Sequence, residues 1–150
     1  MEEAVEIAAD LCRHFEGFSD RPYLCPAGYW TIGYGSTYLL DGQPVTEVSS
    51  PVTKDFANDL LLADLRRFLS QTLAMSPVLA TVEPNRVGAI LDFVYNLGPG
   101  RYRSSTLRRR VNEGRWEDVP TELRRWVYGG GKILPGLKRR REAEASLVRT

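Results

Sequence analysis

The sequence predicts an α+β fold in which one helix leads into a small antiparallel sheet and a helical bundle follows. Two observations favour this order. Apolar residues recur at helical spacing in residues 4–16 and again from residue 53 onward. Between them, in residues 18–46, aromatic and β-branched residues alternate with glycine-rich turns. The chain shows no internal repeat or low-complexity linker, and its 150 residues suit a single domain, 1–150.

The first predicted helix covers residues 4–16, and Gly17 supplies its stop signal. Its apolar residues at i, i+3, i+4 spacing are Val5, Ala8, Ala9, Cys12 and Phe15. The following segments are short and suit a twisted sheet of about three strands. The turns that separate them contain Pro26, Gly28, Gly33, Gly35 and Gly42. We expect this sheet to form a small lobe over residues 17–52.

A long helix is predicted over residues 53–73. Thr53 suits its N-cap, and Asp55 suits the positive end of the helix dipole. The wide apolar stripe consists of Phe56, Leu60, Leu61, Leu65, Phe68 and Leu69. A helix of roughly 20 residues spans about 30 Å, which is long enough to join two lobes.

The second lobe is predicted to be helical and to comprise residues 74–150 together with helix 4–16. Pro84 suits the first position of a helix that runs to Leu97. Either Ser104 or Ser105 can cap a short helix ending at Asn112. Helical spacing also predicts a helix over residues 116–128, which requires Pro120 to lie in its first turn. A last helix is predicted over residues 135–148.

The composition is that of a soluble globular protein, with 43% hydrophobic and 26% charged residues. No apolar run approaches the roughly 18 residues of a membrane span, and the acidic N-terminus is unlike a secretory signal. We therefore expect a cytoplasmic chain without stable membrane insertion. The net charge of +1 divides into −6 for residues 1–75 and +7 for residues 76–150. This split suits a polyanionic partner or, alternatively, two lobes with solvated charged faces.

Cysteine and histidine usage gives no support for a metal site. The two cysteines, Cys12 and Cys25, and the one histidine, His14, are too few and too irregularly spaced to bind zinc. We expect neither a metal nor another cofactor. A Cys12–Cys25 disulfide is arithmetically possible, but a reducing cytoplasm disfavours it. His14 is expected to be an exposed or helix-capping residue.

Three side chains around the predicted hairpin offer an acid, a thiol and a hydroxyl. Glu16 ends the first helix, where the helix dipole and the apolar Phe15 and Phe18 favour the protonated form that a general acid needs. The alternative is an exposed glutamate or the partner of an arginine. Cys25 and Thr31 flank the predicted turn and can both face this helix end. Their alternatives are a small buried hydrophobe and an ordinary strand threonine.

The order and spacing of these residues resemble the phage-type lysozymes, the T4-lysozyme-like endolysins of glycoside hydrolase family 24. Eight residues separate Glu16 from Cys25, and five separate Cys25 from Thr31. Residues 31–36, Thr-Ile-Gly-Tyr-Gly-Ser, are similar to the hairpin motif of that family. Three later segments are similar in the same order, at residues 93–98, 104–107 and 126–142.

The resemblance implies a lysozyme-like fold and a muramidase that hydrolyses the β-1,4 bond between N-acetylmuramic acid and N-acetylglucosamine in peptidoglycan. It implies that Glu16 is the general acid, that Cys25 occupies a position where the family has Asp or Cys, and that Thr31 helps to hold the water. Our hypothesis is that Cys25 and Thr31 position water for inverting attack. A thiolate could instead serve as the base or as a nucleophile.

The resemblance also implies a set of substrate contacts. Tyr95 and Asn96 match positions that line the cleft, and Ser105 and Thr106 match positions that face the glycan. Core packing is the competing role for Tyr95, and helix capping competes for the two hydroxyl residues. Ser36 stands where some relatives have histidine, so the ion pair made there in those relatives cannot form.

The implied partner is peptidoglycan, and we expect a monomer. The resemblance implies a holin-like release partner, because an endolysin without an export signal stays in the host cytoplasm until release and then acts on the periplasmic cell wall. One alternative is a catalytically silent peptidoglycan-binding module, which Cys25 alone favours. The arginine clusters at residues 108–110 and 138–141 raise a nucleic-acid-binding alternative, which their helical context disfavours.

Overall fold

The computed structural model describes residues 1–149, which form an α+β fold, as predicted. Seven α-helices, one 3-10 helix and two two-stranded antiparallel sheets occur in this part of the chain. In chain order they are α1 (Glu2–Glu16), β1 (Ser19–Leu24), β2 (Trp30–Gly33), α2 (Lys54–Met75), the 3-10 helix (Pro77–Thr81), α3 (Pro84–Leu97), α4 (Pro99–Arg103), α5 (Thr106–Asn112), α6 (Val119–Leu123), β3 (Tyr128–Gly129), β4 (Lys132–Ile133) and α7 (Pro135–Val148). None of these helices combines the length and apolar character needed to cross a bilayer.

Helix α1 begins two residues earlier than the sequence predicts and ends, as predicted, at Glu16. Acidic side chains occupy its first turn and basic side chains its last turn, which is the arrangement that the helix dipole favours. Its apolar face is fully buried and consists of Ala4, Val5, Ala8, Ala9 and Cys12. Small residues dominate this face, so α1 can lie close to its neighbour.

That neighbour is α3, the central helix of the large core, which contacts α1, α2, α4 and α7. All residues from Val87 to Val94 are buried. At the crossing with α1, a Cβ atom on Gly88 would lie 2.6 Å from Ile7 Cγ2 and 3.2 Å from the Ala4 carbonyl oxygen. Only glycine fits at this separation, and the contact fixes the helix that carries Glu16 against the core.

The small sheet pairs β1 with β2 in antiparallel register, with Tyr23 opposite Thr31 and Leu24 opposite Trp30. The prediction of about three strands is wrong in number. Beyond β2 the chain turns at once, and only the isolated bridges Ile32–Ser36 and Tyr38–Pro44 remain of further pairing. The glycines between the predicted strands, at positions 28, 33, 35 and 42, make turns too closely spaced for a third strand to extend.

Helix α2 contributes to two separate clusters of buried side chains. Leu60 packs with Ile32 and Val45 beneath the sheet. Leu61, Leu65 and Leu69 join the large core. The helix begins as predicted, because the Thr53 side chain accepts a hydrogen bond from the Phe56 amide at 3.1 Å. It extends two residues beyond the predicted end and joins the sheet region to the helical region.

Several helices of the large lobe are confirmed, including α3 and α7 at their predicted bounds and α5 with Ser105 as its N-cap. The helix predicted over residues 116–128 is wrong, because only the short α6 forms there. Pro120 lies in the first turn of α6, and its missing amide hydrogen prevents the helix from extending further toward the N-terminus. After α6, the chain forms the β3–β4 hairpin around Gly130 and Gly131. The residues Trp116 and Trp126 pack against the core from outside any helix.

The close crossing of α1 and α3 predicts a strong effect of side-chain volume at Gly88. A Gly88→Val variant should lower the free energy of unfolding by about 2–3 kcal/mol, because the new side chain collides with Ile7 and the Ala4 backbone. Gly100→Val is the matched control, since a Cβ atom there meets nothing within 4 Å. Urea denaturation of both variants checks the difference. Equal stabilities would show that the crossing can relax.

Candidate active site

A cleft of about 380 Å³ gathers residues from the sheet region, α1, α2 and α3. Its lining includes five residues that the sequence predicts for the site, namely Glu16, Cys25, Thr31, Tyr95 and Asn96. It also includes Tyr23, Pro26, Gly35, Thr37, Asp64, Arg67 and Phe68. The acid, the thiol and the hydroxyl therefore border one cavity, although 15 positions separate the first from the last in sequence.

Glu16 is the last residue of α1, and its side chain is 25% exposed. Its Oε2 atom accepts a hydrogen bond of 2.7 Å from Nη1 of Arg140 on α7. The arginine partner that the sequence left open is thus one that lies 124 residues further along the chain. The Arg140 guanidinium also lies over the Phe15 ring, 5.6 Å from its centroid. This contact holds the cation beside the end of α1.

Arg140 is itself held by Asp92 on α3. The Nε and Nη2 atoms of Arg140 donate to the two carboxylate oxygens of Asp92 at 2.9 Å and 2.7 Å. The Cys12 thiol donates to Asp92 Oδ1 at 3.3 Å. Burial acts to raise the pKa of Asp92, but the hydrogen bonds and charge of Arg140 outweigh it and keep that pKa below its ordinary value. Asp92 is therefore a fully buried carboxylate that binds the arginine through both of its oxygens.

Cys25 follows β1, and Thr31 lies in β2 on the other side of the turn. The Cys25 amide donates to the Tyr29 carbonyl at 3.0 Å, and the Thr31 hydroxyl donates to the same carbonyl at 2.9 Å. A backbone hydrogen bond from Tyr29 is the main cause that lowers the pKa of the Cys25 thiol. The backbone of Ala27 and the Thr31 side chain act in the same direction. These donors favour the thiolate, which is the reactive form.

The two cysteines differ in their surroundings. Cys12 is buried, and burial raises its pKa well above the ordinary value, with the neighbouring Asp92 charge acting in the same direction. Cys25 is half-buried at the cleft. Both thiols are free, so the arithmetically possible disulfide is not formed. His14 is exposed, as predicted, with its ring edge-on to Phe15.

Gly35 brings the hairpin onto the end of α1. Its φ of 100° lies in the region that favours glycine. A Cβ atom there would lie 3.1 Å from Tyr95 Oη and 3.4 Å from Glu16 Oε1. The Tyr95 hydroxyl donates to the Tyr34 carbonyl at 2.9 Å, which attaches the hairpin to α3. A side chain at Gly35 would enter the space around the Glu16 carboxyl group.

The predicted substrate contacts fall into two groups. Tyr95 and Asn96 line the cleft. Tyr95 also packs edge-on against Phe68, so it both lines the cleft and packs against the core, and its contact with substrate stays a prediction. Ser105 lies outside the cleft lining, and its hydroxyl accepts from the Arg108 amide at 3.0 Å and donates to the Tyr102 carbonyl at 2.7 Å.

Ser105 therefore caps helix α5, as the competing interpretation expected. Thr106, also outside the cleft lining, accepts a hydrogen bond of 3.1 Å from Nη2 of Arg109. Contact of Ser105 and Thr106 with a glycan stays a prediction.

Sequence reasoning missed the acidic residues that organise the site. The Ser36 hydroxyl donates to Asp64 Oδ2 at 2.7 Å, and Arg67 Nη2 contacts Asp64 Oδ1 at 3.1 Å. Burial raises the pKa of Asp64 above its ordinary value. Asp64 and Asp92 each interrupt an apolar helical stretch, and an acid in such a position needs a buried partner. An acidic residue within an apolar helical stretch was therefore the signal that the sequence offered, but this signal does not identify the residue that pairs with the acid.

Comparison with known proteins identifies the family of this chain. The sequence profile of phage lysozyme matches residues 13–144. The chain belongs to the phage lysozyme family. It is accordingly a lysozyme-type glycosidase of the peptidoglycan-degrading endolysins.

Sequence relatives of this phage lysozyme are endolysins. The SAR-endolysin of Enterobacteria phage PA-2 is 37% identical over 130 residues, which cover 86% of this chain and 74% of the relative. The endolysin of Acyrthosiphon pisum secondary endosymbiont phage 1 is 30% identical over 141 residues, 91% of each chain.

Solved structures agree with this assignment. The endolysin from Escherichia coli O157:H7 phage FAHEc1 superposes with a TM-score of 0.81 at 30% identity, covering 95% of this chain and 90% of that one. The muramidase domain of SpmX from Asticaccaulis excentricus has a TM-score of 0.80 at 29% identity, with 95% of each chain covered. Both similarities extend over nearly the whole phage lysozyme chain.

The Ser36–Asp64 hydrogen bond predicts a stability effect at the junction of the sheet and α2. Ser36→Ala should lower the free energy of unfolding by about 1–3 kcal/mol, because it leaves a buried carboxylate oxygen without its hydroxyl donor. Ser104→Ala is the matched control, since its hydroxyl makes an exposed bond to the Gly100 carbonyl. Urea denaturation measures both. Similar losses in the two variants would contradict a special role for the buried bond.

Proposed function

We propose that this chain is a muramidase that hydrolyses the β-1,4 bond between N-acetylmuramic acid and N-acetylglucosamine in bacterial peptidoglycan and thereby lyses the host cell. The observation that carries the proposal is the single cleft that Glu16, Cys25 and Thr31 border together. Family membership supports it, as does the similarity to a muramidase domain.

Glu16 is proposed as the general acid that protonates the glycosidic oxygen. Arg140 occupies its Oε2 atom, while Oε1 lies beside Gly35 at the cleft. The proton would therefore be carried on Oε1, the oxygen that a sugar chain in the cleft can approach. Protonation of the leaving oxygen by a positioned acid contributes typically about 10²–10⁴-fold to the rate.

Cys25 and Thr31 are proposed to position and activate the attacking water. In an inverting glycosidase, a base on the opposite face of the sugar accepts a proton from water while the acid protonates the leaving group. Backbone donors around Cys25 lower the pKa of its thiol, which increases the fraction of thiolate that can accept this proton. The Thr31 hydroxyl, anchored near the Tyr29 carbonyl, supplies a second hydrogen-bonding group.

Substrate binding is proposed to involve Tyr95 and Asn96. The Asn96 Oδ1 atom accepts a hydrogen bond of 2.8 Å from Arg141, which fixes the amide and directs it toward the cleft. The balance of +7 in residues 76–150 favours approach to an anionic cell wall. We further propose that the enzyme acts as a monomer, remains in the host cytoplasm, and reaches the periplasmic wall through a holin-like release partner.

A catalytically silent wall-binding module is the second candidate. The thiol of Cys25 favours it, because a neutral thiol is a poor base and a poor partner for a cationic transition state. Such a module would bind cell walls without clearing them. Turbidity of permeabilised cells therefore separates the two candidates.

Glu16→Gln should reduce the clearing of permeabilised bacterial cells by about 100-fold or more, because the amide cannot donate an acidic proton. Turbidity measures the clearing. Glu3→Gln, an exposed position on the same helix, is the matched control and should clear at the wild-type rate. Clearing by Glu16→Gln at the control rate would reject Glu16 as the acid. Wall binding without clearing by the wild type would support the silent module.

A Cys25→Asp variant should remain active and extend its activity to lower pH. The aspartate base stays ionised down to about pH 4, whereas a thiol, even with a lowered pKa, becomes protonated at higher pH. The acidic limb of kcat/KM should therefore move down by about two pH units or more. Cys25→Ala should lose activity across the whole range. An unchanged acidic limb in Cys25→Asp would reject Cys25 as the base.

The anomer released first should be inverted if Cys25 and Thr31 activate a water molecule. Proton NMR of a defined peptidoglycan oligosaccharide during the first turnovers shows whether the new reducing end is α. Thr31→Val, nearly isosteric but without the hydroxyl, should slow hydrolysis and keep the same anomer. A β product would overturn the proposed single displacement and favour attack by the thiolate on the sugar.

A further inference from the structure

A chain of buried charged side chains extends from Glu16 into the large lobe. We call it the buried charge cluster, and it consists of Glu16, Arg140, Asp92, Glu144 and Arg141. Apart from Glu16, its members are almost completely inaccessible to water. Removing several charges from water is unfavourable unless they are paired. Acid catalysis by Glu16 does not in itself require so many buried charged side chains behind it.

Asp92 is the member that holds the cluster together. It binds Arg140 through both carboxylate oxygens, at 2.9 Å and 2.7 Å, while the third guanidinium nitrogen reaches Glu16 at 2.7 Å. A guanidinium has a rigid planar fork, so two bonds to Asp92 determine where its remaining nitrogen points. The position of the Arg140 nitrogen beside Glu16 is therefore a consequence of Asp92.

The charge of Asp92 has a second consequence. A cation in hydrogen-bond contact with Glu16 favours the ionised carboxylate, whereas a general acid must be protonated. A carboxylate on the opposite edge of the same guanidinium offsets this effect. With Asp92 ionised, Glu16 faces an arginine whose charge is already partly balanced.

We propose that Asp92 is a positioning residue for Glu16, which fixes Arg140 by two hydrogen bonds and offsets the charge of the guanidinium that contacts the Glu16 carboxyl group. This inference rests on the proposed role of Glu16 as the acid.

Glu144 adjoins both Asp92 and Arg141 in the cluster. Its Oε1 atom accepts from Arg141 at 2.8 Å, and no donor from the described residues reaches its buried Oε2. Burial and the adjacent Asp92 charge raise the pKa of Glu144 well above its ordinary value. The contact with Glu144 acts, after the contacts with Arg140, to lower the pKa of Asp92.

Other titratable or charged groups border the acid and the cluster from each neighbouring element. They are Cys12 and His14 on α1, Tyr95 on α3, Arg139 on α7, Tyr23 and Cys25 in the sheet region, and Asp64 and Arg67 on α2. Among the groups bordering Glu16, Arg140 is the one whose hydrogen bond to its carboxyl group the structure defines. A change at Asp92 acts on Glu16 through this bond.

The test is the pH dependence of kcat/KM for Asp92→Asn on a soluble peptidoglycan oligosaccharide. The basic limb should move to lower pH by about one unit, because Arg140 loses the counter-charge of Asp92 and then favours negative charge at the cleft more strongly. The decrease at pH 7 should lie in kcat, with KM within about twofold. Asp10→Asn, an exposed position on α1 with the same change of charge, should leave the limb in place.

A purely structural role for Asp92 predicts lower activity at every pH with an unmoved basic limb, and that result would overturn the proposal. Carboxyl ¹³C NMR of the wild type provides a measurement that does not depend on the folding of a variant. Asp92 should be ionised across the pH range in which the enzyme is active, and a protonated Asp92 in that range would equally overturn the proposal. If Glu16→Gln retains activity, the proposed function fails. An inactive Glu16→Gln with an unmoved limb in Asp92→Asn rejects this inference alone.

Discussion

The Arg140 guanidinium is the contact on which the geometry of the site depends. It joins α7 to Asp92 on α3 and to Glu16 at the end of α1, so three helices meet at one planar group. A buried arginine is stable only when its hydrogen bonds are satisfied, and the loss of one partner leaves an uncompensated charge. The apolar contacts allow these helices to pack, as at Gly88, but they are not directional. The hydrogen bonds of Arg140 select the arrangement that puts the carboxyl group of Glu16 at the cleft.

The position of the hairpin at the cleft depends on a different kind of contact. Gly35 lets the hairpin lie so close to Glu16 that an added Cβ atom would be 3.4 Å from Glu16 Oε1, and the Ser36–Asp64 hydrogen bond fastens that hairpin to α2. Because α2 contributes to both clusters of buried side chains, its position sets the separation between sheet and helices. Thr31, in β2 just before this hairpin, is thereby held at the cleft that the end of α1 also borders. The residues proposed as the acid and as the water-positioning group, Glu16 and Thr31, thus lie on elements with separate supports.

Sequence patterns predicted the elements that local chemistry defines, but they did not predict features that depend on contacts or turns outside the local pattern. Thr53, Pro84 and Ser105 mark helix starts that the structure confirms, because caps and proline act within one turn. The third strand and the helix at residues 116–128 were wrong, since apolar spacing could not show that closely spaced turns and Pro120 would shorten them. The spacing of Glu16, Cys25 and Thr31 pointed to one cleft. Arg140 could not be assigned to Glu16, because a pairing across 124 residues leaves no local pattern.

The two reactive groups of the proposed mechanism are adjusted by independent surroundings. Cys25 responds to backbone donors from its own turn, which lower the pKa of the thiol without any cationic side chain. Glu16 contacts the guanidinium of Arg140, whose charge is partly balanced by Asp92 on its other edge. An acid and a base must hold opposite protonation states at the same pH, and separate environments allow this. A carboxylate at position 25 would be ionised at neutral pH, whereas a thiol is largely protonated there unless its surroundings lower its pKa. Under the proposed mechanism, the base therefore depends on the turn around Cys25. The acid depends instead on α3 and α7, the helices that carry Asp92 and Arg140.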